Sequence, residues 1–120
     1  MQVVYITNAF SLQMLASAGS ARIDAHRLLG VEEARVAILE EQSTGAVVVP
    51  AIGHADTAAV VADQLGLPAL GSLFERRSIL LDEASILLVA QYKGSRLPEG
   101  ATTLPEGAEI EWWQITIEKQ

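Results

Sequence analysis

The sequence predicts one α/β domain: a mixed central β-sheet of about five or six strands flanked by helices, spanning residues 1–120. Three patterns carry that prediction. Val3-Val4-Tyr5-Ile6-Thr7 and Ala46-Val47-Val48-Val49 are continuously apolar and largely β-branched, as buried strands are. Residues 31–41 and 56–65 place apolar side chains at helical spacing. Residues 21–26 and 109–118 alternate with a period of two, which marks strands with one wet face.

The elements follow in order. After the first strand, Asn8-Ala9-Phe10-Ser11-Leu12-Gln13-Met14-Leu15 supplies helix-capping types at Asn8 and Ser11, and Leu12 and Leu15 are expected to form the apolar side of a short turn. The helix at 31–41 presents Val31, Ala34 and Ile38 on one side, with Glu32 and Glu33 at the positive end of its dipole. From Ala46 the chain passes through Pro50, Ile52 and Gly53 into a helix at 56–65, directed inward by Val60, Val61 and Leu65 and closed by Gly66. Residues 76–81 and 86–92 read as two strands of an antiparallel hairpin, joined by Asp82-Glu83-Ala84-Ser85. Residues 93–107 form a loop rich in glycine and proline, and the last strand sets Trp113, Ile115 and Ile117 on one face. Trp112 then faces the opposite side, so core packing of one ring and an interface contact of the other outweigh base stacking by the pair.

Composition narrows the function. There is no cysteine, which excludes disulfides, thiolate catalysis and cysteine-held metals. The two histidines stand far apart with no ligand spacing around them, so neither a metal nor a cofactor is expected. The longest apolar run, 46–52, is far short of the roughly 20 residues that a membrane-spanning helix needs. The first residues lack the basic flank and cleavage site of a secretory signal, and a soluble, cytoplasmic protein is expected. A net charge of −7 argues against long DNA or RNA as partner, since such binding rests on dense Lys and Arg. A small anion held by a few local donors stays possible, because salt screens distant charge beyond about 8–10 Å.

Two segments bring chemistry together. Pro50-Ala51-Ile52-Gly53-His54-Ala55-Asp56-Thr57 sets a histidine just ahead of a helix N-terminus, where outward N–H groups and the dipole favour phosphate. Histidine is also the side-chain type that exchanges protons near neutral pH, so His54 reads either as a general acid or as a residue capping the helix. Gln91-Tyr92-Lys93-Gly94-Ser95-Arg96-Leu97-Pro98-Glu99-Gly100 gathers Lys93, Arg96 and Glu99 at the end of an apolar strand. Arg96 offers a planar fork for phosphate oxygens, with Glu99 orienting it or bonding a sugar hydroxyl; the alternative is an ordinary surface ion pair. His26, in an alternating strand, reads as an exposed ring.

These two segments together with Asn8-Ala9-Phe10-Ser11-Leu12-Gln13-Met14-Leu15, in this order, resemble the viral type III anti-CRISPR ring nucleases and their bacterial relatives. The resemblance spans nearly the whole chain. It implies a homodimer that binds cyclic tetra-adenylate in a pocket across the subunit interface and cuts it without metal to linear di-adenylates ending in a 2′,3′-cyclic phosphate. By motif, His54 falls on the family's catalytic histidine, Arg96 on its arginine and Glu99 on its glutamate. Asn8 and Ser11 fall in its N-terminal ligand-contacting motif, and Gly53, Thr57, Gln91 and Lys93 complete the expected ligand-binding set. A sponge or sensor that holds the ring without cutting it is the alternative function. The sequence departs from the family pattern at Asp82-Glu83-Ala84-Ser85, where Pro-Gly-Asp is common, and it carries Arg76 and Arg77, one of which is a further candidate to face the ligand.

Overall fold

The computed structural model describes residues 2–15 and 19–119. Among these, five strands form one sheet: β1 (Val3–Thr7), β2 (Ala21–Arg27), β3 (Val47–Ala51), β4 (Ser85–Lys93) and β5 (Glu109–Lys119). Their order across the sheet is β2-β5-β4-β1-β3. β1 pairs in parallel with both β3 and β4, so that Thr7 stands level with Ala51 on one side and Val89 on the other. β5 runs antiparallel to both β4 and β2. The fold is therefore α/β with a mixed sheet, as the run of patterns predicts. Helices α1 (Val31–Ser43) and α2 (Ala55–Leu65) flank it, and neither is long and apolar enough to cross a membrane.

Both faces of the sheet are covered, which explains why β4 reads as an unbroken apolar run. Ile86, Leu88 and Ala90 face the helices, where Val4, Ile6, Ala34, Ile38, Val61, Leu65 and Trp112 pack with them. Leu87 and Val89 point the other way, into a second core with Ile79, Leu81, Ile115 and Ile117, edged by Tyr5, Phe10 and Trp113. A strand buried on both faces cannot alternate, because each face demands an apolar residue. Trp112 and Trp113 accordingly serve opposite cores.

The expected hairpin of 76–81 with 86–92 is absent. β4 already has β1 on one side and β5 on the other, which leaves no ladder position for a further strand. Residues 76–81 instead run across the second sheet face, with Ile79 and Leu81 buried and Ser78 and Leu80 exposed. Alternating burial without pairing produced the strand-like pattern. Phe74 makes an isolated bridge to Ile52, and the Leu81 N–H donates to the Met14 carbonyl at 2.9 Å. Asp82 then turns the chain into β4, its Oδ1 accepting from the Ala84 N–H at 2.9 Å and the Ser85 hydroxyl at 2.9 Å. Leu12, expected on the apolar side of its turn, is 72% exposed; in the single 3-10 turn Leu12–Leu15 it is Met14 and Leu15 that pack.

The two helices are locked to each other. Arg35 of α1 reaches the C-terminal end of α2, where its Nε donates to the Leu65 carbonyl at 2.7 Å and its Nη2 to the Gln64 carbonyl at 3.2 Å. Those carbonyls have no partner within their own helix, and a cation suits the negative end of the dipole. The N-terminal end of α2, with His54 at its N-cap, follows closely on the end of β3. Gly66 closes it in the left-handed conformation. The packing argument places the largest stability loss on β4: Leu88→Ala is expected to reduce the unfolding free energy by about 2–5 kcal/mol, measured by urea denaturation, and a change under about 1 kcal/mol would contradict two-sided burial.

Candidate functional site

β1, β3 and β4 point in one direction, so their C-terminal ends converge at one edge of the sheet. In open α/β sheets that edge is where crevices form for ligands. It gathers the segments that follow β1, β3 and β4, which hold the candidate residues other than Gln91 and Lys93; those two lie on β4 itself. A cleft of about 810 Å³ lies there, lined by His54, Asp56, Thr57, Tyr92, Gly94, Arg96, Leu97, Pro98 and Glu99. Ligand pockets commonly span about 300–1,000 Å³, so this one suits a molecule of nucleotide size or larger. His54, Arg96 and Glu99 thus share one cavity although they arise from separate segments of the chain.

His54 stands at the N-cap of α2 in extended conformation and makes no side-chain cap bond. Its backbone carbonyl starts the helix by accepting from the Ala58 N–H at 2.9 Å. The imidazole is therefore not spent on capping and is exposed at the cleft. Ahead of it, Gly53 is gripped from two sides. The Asn8 Oδ1 lies 3.5 Å from its N–H, and the Arg76 Nε donates to its carbonyl at 3.3 Å. Thr7 braces the same turn through its hydroxyl, which donates to the Ala51 carbonyl at 3.0 Å. The backbone bonds of Ile52 to Leu73 and of Glu75 to Ile52 complete the frame.

Arg96 and Glu99 are both exposed, and among the described residues neither enters an ion pair. The ion-pair reading of this segment holds for Lys93, which pairs with Glu111 at 2.7 Å, and not for Arg96, whose guanidinium is available to an anion. The loop that carries them leaves β4 at Gly94, whose φ of +156° is accompanied by very tight packing: a Cβ there would stand 2.7 Å from the Ala108 Cβ. Only glycine fits so close an approach.

The remaining candidates lie around the cleft in different ways. Thr57 lines it beside His54. Gly53 and Asn8 shape the turn behind His54. Ser11 caps its own turn, accepting from the Gln13 N–H at 3.2 Å, and borders a separate hollow of about 370 Å³ with Arg77 and Met14. Gln91 is exposed and, two residues on from Val89, belongs to the sheet face away from the helices. Lys93 sits on that same face, 2.7 Å from Glu111. Of the two arginines in question, Arg76 stacks over Phe74 and holds Gly53, whereas Arg77 turns to the Ser11 hollow. His26 is an exposed ring on β2. Residues that sequence reasoning did not single out for the site are Asp56, Tyr92, Leu97 and Pro98. Tyr92 alternates with Gln91 and Lys93 and so faces the cleft, a signal that the strand's period of two carries.

The model of the family described as STIV B116-like matches residues 4–117. The chain belongs to the STIV B116-like family. Among solved structures, B116 of Sulfolobus turreted icosahedral virus resembles it with a TM-score of 0.73 and 24% identity, over 94% of this chain and 97% of that one. That likeness is one of fold. No curated protein matches the chain. The match to the STIV B116-like family thus takes in both helices and all five strands but for the first residue of β1 and the last two of β5, including the edge at which the cleft opens.

Glu111, next to the site, has a measurable signature. Its side chain is only 9% exposed and takes Lys93 at 2.7 Å, Arg27 at 3.3 Å and the Trp113 indole N–H at 2.8 Å. The bond from Lys93 and then that from Trp113 hold its carboxyl below the usual carboxylate range, with Arg27 adding to them and desolvation opposing. Because the folded value lies below the unfolded one, this contribution is present at neutral pH and is lost as pH falls through the folded value. Glu111→Gln is therefore expected to flatten the decline in stability as pH falls from neutral through and below the ordinary carboxylate value of 4.5. Thermal unfolding across that range checks it; identical slopes for both proteins would contradict it.

Proposed function

We propose that this protein is a metal-independent ring nuclease, which binds cyclic tetra-adenylate between two copies of the chain and cuts it to linear di-adenylate with a 2′,3′-cyclic phosphate. Such an activity removes the messenger of type III CRISPR signalling. The observation that carries the reading is the shared cleft of His54, Arg96 and Glu99. The motif resemblance supplies the substrate, and membership of the STIV B116-like family is compatible with it.

The chemistry is an internal transfer. The ribose 2′-oxygen attacks the neighbouring phosphorus, the bond from phosphorus to the 5′-oxygen breaks, and the proton lost from the hydroxyl is balanced by one gained at the leaving oxygen. Negative charge builds on the phosphorane oxygens, where the Arg96 fork can be met in bidentate fashion. Imidazolium at His54 donates the proton to the 5′-oxygen. Glu99 accepts from a sugar hydroxyl and turns the nucleophile into line, the step on which an intramolecular attack most depends. The N-terminus of α2 adds N–H donors and a favourable dipole, which matters for an anionic ligand on a protein of net charge −7. Two clefts related by a two-fold axis would match a ring of four phosphates.

Incubation of the ring with purified protein in EDTA tests the reading. The expected product is di-adenylate with the cyclic phosphate end, and an intact ring at high enzyme concentration would overturn it. His54→Ala is expected to bind the ring with near wild-type affinity, by calorimetry, while turnover falls about 10²–10⁴-fold. Tight binding by the wild-type protein without any product would identify the sponge instead.

A further inference from the structure

The loop that carries Arg96 and Glu99 is fastened at both ends. At its start, the Tyr92 hydroxyl of β4 donates to the Ser95 carbonyl at 2.6 Å, next to the close contact of Gly94 with Ala108. At its far end, the Gly100 N–H donates to the Asp56 Oδ1 at 3.1 Å. Gly100 has a φ of +80°, so the turn that presents this N–H suits glycine. Asp56 is the second residue of α2, two positions after His54. A single side chain therefore joins the helix that begins at the imidazole to the loop that bears the guanidinium.

An acid in the first helical turn is ordinarily explained by the dipole. That explanation needs no partner on the loop, and it places a negative charge inside a cleft read as a phosphate site. We infer that Asp56 is a positioning residue, which fixes the distance between His54 and the Arg96–Glu99 segment through its bond to Gly100. The consequence for turnover rests on the ring-nuclease reading; the bond itself does not.

Two substitutions separate charge from geometry, since both remove the carboxylate charge. Asp56→Asn retains an oxygen that can accept from Gly100, whereas Asp56→Ala does not. Both are expected to lower KM for cyclic tetra-adenylate alike, because a repulsive charge is gone from the cleft. The rate constant kcat should stay near wild type in Asp56→Asn and fall about 10- to 100-fold in Asp56→Ala, the loss that a small misplacement of reacting groups brings. Amide hydrogen exchange by NMR supplies a readout independent of activity: the Gly100 N–H should be protected in the wild type and in Asp56→Asn and unprotected in Asp56→Ala. Equal kcat in the two variants overturns the inference, as does a Gly100 amide that exchanges equally fast in the wild type and in Asp56→Ala. Failure of the wild type to cut the ring overturns the functional reading instead, and the exchange comparison then still decides whether the tie exists.

Discussion

The two-sided burial of β4 is the constraint from which the rest of the molecule follows. Its apolar residues serve the helix-side core and the opposite core by turns, and its two ladder edges are taken by β1 and β5. A strand in that position can neither slip by one residue nor lose a neighbour without emptying a core. β4 also runs past the end of β1, since Thr7 is level with Val89 and β4 continues to Lys93. That overhang is the ledge from which the loop of Arg96 and Glu99 departs. A strand buried on both faces therefore delivers one half of the cleft.

The other half comes from a parallel edge strand. β3 ends beside β1, and the turn from Ala51 to His54 is held by Thr7, Asn8, Arg76 and the Leu73–Glu75 backbone. Arg35 anchors the distant end of α2, so the helix cannot pivot freely at either terminus. Two stretches of chain, 7–8 and 73–76, thus hold the turn that leads into His54. This kind of support, built from backbone bonds and packed elements, is what orienting an internal nucleophile requires.

Much of this was legible from the residues. β1, both helices and β5 coincide with apolar runs and periodicities because those patterns report burial directly, whereas β2 forms where its alternation places it although neither of its faces is buried. The same directness explains the error at 76–81: Ile79 and Leu81 alternate with exposed neighbours, yet alternation records which side is covered and is silent about ladder partners. His54 stood out because it follows a glycine at a helix N-terminus, where N–H groups and the dipole favour an anion, and Arg96 because it follows an apolar strand. Lys93 looked like a ligand cation since its partner, Glu111, lies on the next strand in a register that local sequence does not reveal. Asp56 escaped notice for the opposite reason, its position having an adequate local explanation in the helix dipole.

The sheet has two open borders, and each is guarded differently. β3 carries Pro50, which has no N–H to offer a further strand, and sits where a border strand tolerates it. β2 is wet along nearly its whole length and displays Arg22, Asp24, His26 and Arg27, a mixture of signs that discourages indiscriminate lengthening of the ladder. A chain half composed of hydrophobic residues in this way resists open-ended growth of its sheet, with its stickiest backbone turned inward.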